Sequence, residues 1–319
     1  MAHDPDTRYA ELIEYVLDIN IQPTANGNAY FKCPFHIDSR PSFGIQTRTG
    51  LWLCRSGCGE GNIEQLIMRA KQVDLLHALA IKRQWEEGSP LDVELDKMLA
   101  AIAPREAVAA PEPFVMSVAG LTSDRWPNWW PERGFDAKSW RRFDVRLDTN
   151  NGDTVLPLRA ADGMLAGTIR RAQPGIMPKY RYSDNIRVNQ HLYGIDTMVR
   201  LGWVPGSRLV LVEGSLDCIW LQQNGIAAAA VLGSHLSKDQ ARILRGVGPG
   251  RVLLAFDNDD AGRQATRKAM RDLPDMPLDV IDWSLRSDKK DVQEIKEPWD
   301  LKNIIDTPMS SLEYALQRR

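Results

Sequence analysis

Between positions 208 and 263 the apolar residues come in short unbroken runs separated by stretches with helical spacing. The run at 209–212, Leu-Val-Leu-Val, is too short for a helix and rich in β-branched residues, the mark of a strand buried on both faces. Glu213 and Gly214 end it. A helical pattern over 217–223 stops at Asn224-Gly225, a common C-terminal punctuation. A second apolar run at 227–232 ends at Gly233, and an amphipathic segment leads to a third at 252–256, which closes in Asp257-Asn258-Asp259-Asp260-Ala261-Gly262. Strand, helix, strand, helix, strand with short turns predicts a parallel sheet with crossover helices, whose functional groups gather beyond the carboxyl ends of the strands. Further on, 261–273 reads as a helix, 278–283 as a fourth strand, 286–296 as a charged exposed loop and 309–319 as a terminal helix.

Upstream the pattern changes. Residues 7–19 read as an amphipathic helix, 27–32 as a turn into a strand, and 43–45 and 51–53 as short strands. Asn62 is placed to cap a helix over 63–68, and helical periodicity runs from 75 to 102, weakened at Gly88-Ser89-Pro90. The Ala- and Pro-rich stretch 103–113 has no apolar period and reads as a linker. A second unit starts near Phe114. Its Trp126-Pro127-Asn128-Trp129-Trp130-Pro131 cluster reads as local core packing in preference to a base-stacking platform. Glu132-Arg133-Gly134-Phe135 opens a helical segment, and strands follow at 154–158 and 164–171, joined by Asp162-Gly163.

Composition adds bounds. The 319 residues, 43% hydrophobic and 26% charged, suit an ordinary globular protein of two or three domains. No apolar run approaches a bilayer span, and the first residues lack the layout of a signal peptide, so a cytoplasmic protein without membrane partners is expected. A formal net charge of −2 leaves nucleic-acid contact to a local basic surface. The 4 cysteines are too few for a disulfide framework. Cys33-Pro34-Phe35-His36 and Cys54-Arg55-Ser56-Gly57-Cys58 instead have the spacing of two zinc-ribbon knuckles, each giving two ligands to one tetrahedral ion. Glu213 after the first strand and Asp257 and Asp259 after the third could converge, and clustered carboxylates call for a divalent cation, with magnesium the best fit to oxygen ligands. Arg159, Arg170, Arg171, Lys179, Arg181 and Arg187 stand against only Asp162 and Asp184 and alternate with Tyr180 and Tyr182, which suits a groove for single-stranded backbone.

Three motif groups together carry a family resemblance. Glu213-Gly214-Ser215-Leu216-Asp217, Leu232-Gly233-Ser234 and the acidic run to Gly262 resemble the toprim fold of DnaG-type primases and topoisomerases. Cys33, Pro34, His36, Pro41, Ser42, Phe43, Cys58, Gly59 and Gly61 resemble the zinc-binding domain of the same primases, although Cys54 and Cys58 have three residues between them where the family has two. Leu156-Pro157-Leu158-Arg159, Arg170-Arg171, Pro178-Lys179-Tyr180 and Leu192-Tyr193-Gly194 resemble their basic subdomain. Val188 and Asn189 stand where the family usually has a lysine, which leaves Arg187 as its substitute.

The resemblance implies an α/β and α+β multidomain chain: a zinc ribbon over 1–102, the linker, a basic template-binding subdomain over 114–205, a toprim parallel sheet over 206–305 and a terminal helix over 306–319. It implies a structural zinc on Cys33, His36, Cys54 and Cys58, and a catalytic Mg2+ or Mn2+ near Glu213, Asp217, Asp257 and Asp259. Glu297 and Asp300 stand as a weakened version of the family's last Asp-Pro-Asp motif, with Glu297 and Trp299 as departures. Arg159, Arg170, Arg171, Lys179, Tyr180 and Arg187 become candidates for template or nucleotide contact. The implied activity is synthesis of short RNA primers from ribonucleoside triphosphates on single-stranded DNA. No Gly-x-x-x-x-Gly-Lys-Ser/Thr phosphate loop occurs, so a replicative helicase would be a separate partner. A toprim nuclease and a non-catalytic single-stranded DNA-binding replication protein are the alternatives.

Overall fold

The computed structural model describes residues 8–87, 114, 116–117 and 119–316; the expected linker 103–113 and the helical pattern beyond 87 lie outside them. The chain divides into two compact units, Met1–Met116 with Asp162–Ala166, and Ser117–Ala161 with Gly167–Arg319.

In the first unit β1 (Asn28–Phe31), β2 (Phe43–Gln46), β3 (Trp52–Cys54) and β4 (Glu60–Gly61) form an antiparallel sheet in sequence order. Alternation along β2 turns Phe43 and Ile45 inward, where Phe43 stacks on Trp52 at 5.3 Å between ring centroids. The helix Ala10–Leu17 buries Leu12, Ile13 and Val16. The helix Ile63–Lys71 starts at a capping box, in which the Asn62 side chain accepts from the Gln65 N–H and the Gln65 side chain accepts from the Asn62 N–H. Asp74 caps the next helix, Leu75–Glu86.

The second unit holds two five-stranded sheets. One runs β5 (Leu121–Thr122), β6 (Arg146–Asp148), β7 (Thr154–Arg159), β8 (Leu165–Arg171), β9 (Tyr180–Tyr182). The other has β10 (Arg208–Val212), β11 (Ala228–Ala230), β12 (Arg251–Leu254), β13 (Leu278–Val280) and β14 (Met309–Ser310) in the order β11-β10-β12-β13-β14. Its first four members are parallel and β14 is antiparallel. Helices Ser215–Gln223, Lys238–Val247 and Asp260–Asp272 connect the parallel strands as the apolar runs predict. Trp129 and Trp130 are buried in a core shared with Trp140, Tyr193 and Trp220, so these two members of the tryptophan-proline cluster are packing, while Trp126 is exposed. Cys218 is fully buried there.

Three expectations shift. The terminal helix is Ser311–Leu316, because 309–310 pair with β13, and 317–319 lie outside the described residues. The fourth strand stops at Val280, where Asp282 caps a short turn and the Trp283 indole donates to the Phe256 carbonyl at 2.9 Å. The segment 286–296 is not an exposed loop, since Val292 and Ile295 are buried and the Trp220 indole donates to the Ile295 carbonyl at 3.2 Å. Two apolar anchors three residues apart outweigh its charge.

Candidate functional site

β10 and β12 are neighbours, with Leu211 opposite Leu254, so the residues that follow them meet at one edge of the sheet. The Asp257 N–H donates to Glu213 Oε1 at 3.2 Å. Asp259 caps the helix Asp260–Asp272 by accepting from the Gly262 N–H at 2.9 Å. A Cβ on Gly262 would lie 2.0 Å from the Asp257 carbonyl oxygen, so glycine alone lets the helix turn this tightly behind the acid. Asp217 sits in the first turn of Ser215–Gln223, and a Cβ on Gly214 would come within 2.5 Å of its Oδ2. The loop after β11 closes over the strand end, with the Leu232 N–H donating to the Glu213 carbonyl at 2.9 Å from a left-handed backbone, φ 57°.

Crowding shows in the acidities. Burial, then Asp257, pushes Glu213 up to about 7. Burial, then Asp291 and Asp257, pushes Asp217 up to about 8. Asp257 is also raised, by burial and then by Asp291. Lys290 offsets part of this charge, its Nζ lying 3.7 Å from Asp257 Oδ2 and 3.6 Å from Asp259 Oδ2.

Asp291 was absent from the sequence reading, as was Lys290. The buried Val292 and Ile295 hold this segment against the unit, and Asp291 faces Asp217 and Asp257 closely enough to raise both. The signal available was an Asp followed by apolar residues at 292 and 295 inside a charged stretch. Glu297 and Asp300, the sequence candidates for the last acidic motif, are not among the main charges acting on Glu213, Asp217 or Asp257. Glu297 is exposed at the start of the helix Pro298–Asp306, and Asp300 is paired with Arg286.

Across from the acids lies a cationic group. Arg171 is buried, its guanidinium 5.0 Å from the centre of the Trp129 ring, and it donates to the Tyr180 hydroxyl at 2.6 Å. Lys296 lies 4.8 Å from the Trp220 ring and donates to the Arg133 carbonyl at 2.9 Å. Gln293 also donates to that carbonyl, at 2.8 Å, while the Arg133 guanidinium donates to the Gln293 side chain. Arg133, Lys179 and Lys296 are each held below their ordinary values, by burial first and then by a cationic neighbour, Arg171 for the first two and Arg133 for Lys296. The charges of Asp217 and Asp291 act on all three in the opposite sense. Arg133 and Lys296 were missed because each stands in a segment of mixed charge.

Three of the other basic residues are paired with acids from outside 159–187, so the run is not one-signed in the fold. Arg159 pairs with Asp144 at 3.1 Å, Arg170 with Asp148, and Arg181 with Asp153. These acids precede the basic run in sequence, and the fold of the antiparallel sheet brings them across to it. Arg187 is exposed.

In the first unit one ligand atom from each of Cys33, His36, Cys54 and Cys58 lies within 4.8 Å of the others, a donor set and compactness that fit a tetrahedral zinc. Cys33 Sγ and Cys58 Sγ are 3.6 Å apart, and this contact holds Cys33 down to about 6 and pushes Cys58 up. The extra residue of the second knuckle is absorbed at Gly57, φ +82°, whose N–H donates to the Cys54 carbonyl at 2.9 Å.

Residues 7–87 match the CHC2 zinc finger family and residues 210–295 the Toprim-like family. The chain is 25% identical over 287 residues to the DNA primase of Deinococcus radiodurans, covering 78% of this chain and 50% of that protein. It is 24% identical over 297 residues to the DNA primase of Clostridium acetobutylicum, covering 78% and 48%. It thus spans about half the length of the curated relatives it matches. The crystal structure of the Aquifex aeolicus primase zinc-binding and RNA polymerase domains shares the fold, with a TM-score of 0.51 at 20% identity over 100% of this chain and 88% of that one. Among the described residues no helix is long and apolar enough to cross a membrane. With a CHC2 zinc finger match preceding a Toprim-like match, and DNA primases among the curated relatives, the chain is similar to DnaG-type primases in both regions.

Proposed function

We propose that this protein is a DNA primase that joins ribonucleotides on a single-stranded DNA template by metal-dependent nucleotidyl transfer. The observation that carries the reading is the meeting of Glu213, Asp217, Asp257, Asp259 and Asp291 opposite Arg133, Lys179 and Lys296 within one compact unit. Acids alone would repel a triphosphate, and cations alone would bind one without reacting it. Arg133, Lys179 and Lys296 neutralise the nucleotide phosphates, with Arg171 and Tyr180 behind Lys179. Glu213, near neutrality, accepts the proton of the attacking 3′ hydroxyl as the phosphodiester bond forms and pyrophosphate leaves. Asp257, Asp259 and Asp291 would hold a divalent cation, Mg2+ or Mn2+, which supplies Lewis acidity and charge neutralisation at the reacting phosphate.

Zinc on Cys33, His36, Cys54 and Cys58 is structural in this reading, because four protein ligands leave no open position. Single-stranded DNA, ribonucleoside triphosphates and a separate replicative helicase are the partners it implies. Purified protein with single-stranded DNA, magnesium and labelled ribonucleotides is expected to yield short oligoribonucleotides, and Asp257→Ala to reduce them about 100-fold or more. Cleaved template would identify a toprim nuclease instead, and template shifted in a gel but never extended a binding protein.

A further inference from the structure

The first zinc knuckle is followed by an acid, Asp38. Asp38, two residues past His36, has two hydrogen-bond donors at one carboxylate oxygen and the His36 ring near the other. His36 Nε2 lies 3.6 Å from Oδ1. The Cys33 N–H donates to Oδ2 at 3.1 Å, and the Ser42 hydroxyl donates to the same oxygen. The opposite side of the imidazole, Nδ1, faces the Cys54 thiol at 3.9 Å. Ser42 Oγ in turn lies 3.5 Å from Cys54 Sγ. Asp38 therefore lies beside the ring of one ligand, accepts from the backbone of a second, and reaches a third by way of Ser42.

We propose that Asp38 is the positioning residue of the zinc centre: it holds the proton of His36 on Nε2, so that Nδ1 is the nitrogen that binds the metal. The physical reason is the tautomer. A neutral imidazole has one N–H and one lone pair, and whichever nitrogen donates to a neighbour leaves the other free to ligate. A carboxylate is the only side chain of this size with acceptors at both ends, and here one end is hydrogen-bonded and the other faces the His36 ring. An asparagine of the same shape has one oxygen and one amide, so either the His36 side or the Cys33 and Ser42 side would face an N–H it cannot pair with. Asp38→Asn thus tests charge and acceptor count at nearly constant volume, while Asp38→Glu keeps both acceptors.

The inference rests on the zinc reading of Cys33, His36, Cys54 and Cys58, and the measurement separates the two. Zinc affinity of the full chain is read by competition with a chromophoric chelator, and the His36 tautomer by long-range proton-nitrogen NMR of the zinc-loaded protein. Expected are an Nε2–H tautomer in the wild type, an affinity about 10–100-fold lower in Asp38→Asn, and recovery of most of it in Asp38→Glu. A wild type that binds no zinc would remove the site itself. A wild type that binds zinc through Nε2, with the proton on Nδ1, overturns the proposal whether or not the variants fold. An Asp38→Asn affinity equal to the wild type overturns it as well.

Discussion

Burial and neighbouring acids raise Glu213 to about 7 and Asp217 to about 8, so both hold their protons closer to neutral pH than an ordinary carboxyl does. A divalent cation competes with those protons, so its binding tightens as pH rises through that window. Manganese titration followed by electron paramagnetic resonance is expected to show affinity rising from pH 6 to 9, with the upper part of the rise flattened in Asp217→Asn. Stability runs the other way. The folded acidities lie above the ordinary carboxyl values of 4.5 and 3.8, so the folded state binds more protons, and without added magnesium stability falls as pH rises between the two. Asp217→Asn should accordingly raise the melting temperature at pH 9 and leave it nearly unchanged near pH 3, and no difference at pH 9 would contradict the assigned burial. Glu213, Asp257 and Asp259 were legible in the sequence because each directly follows a strand whose apolar run is unmistakable. Asp291 was not, because what positions it is the burial of Val292 and Ile295 in a stretch that otherwise reads as solvent-facing.

At the scale of elements, the turn from β12 into the helix Asp260–Asp272 aims two acids at once, and Gly262 makes that turn possible. Gly262→Ala places a methyl 2.0 Å from backbone, which cannot yield as a side chain tip would. A loss of about 1–3 kcal/mol in denaturant unfolding is expected, together with weakened manganese binding. Gly233→Ala, with nothing within 4 Å of the added carbon, is the control and should alter neither. The parallel strands and their helices could be read from continuous apolar runs with clear stops. The short strands β4, β6 and β9 could not, being only two or three residues long and defined by pairing with a neighbouring strand and not by an apolar run of their own. The same pairing hid Asp144, Asp148 and Asp153, which neutralise arginines that in sequence look like an uninterrupted basic run.

The molecule as a whole is two units with separate reasons for being folded. The first has four short strands and a small core around Phe43 and Trp52, and its Cys and His side chains converge at the knuckles. Such a unit draws much of its stability from the ion. Hydrogen exchange after zinc chelation is expected to accelerate across 28–61 while 208–280 keeps its protection; equal protection in both would show that the ribbon stands without metal. The second unit contains every acid and cation of the proposed reaction, which makes it the place to test the central claim. The most direct measurement is primer synthesis by wild type, Asp291→Asn and Asp300→Asn on one single-stranded template with magnesium. The account predicts labelled oligoribonucleotides from the wild type, a loss of about 100-fold or more in Asp291→Asn, and near-normal yield in Asp300→Asn, whose carboxylate is paired with Arg286. No product from the wild type, or loss in Asp300→Asn with Asp291→Asn unaffected, would contradict it.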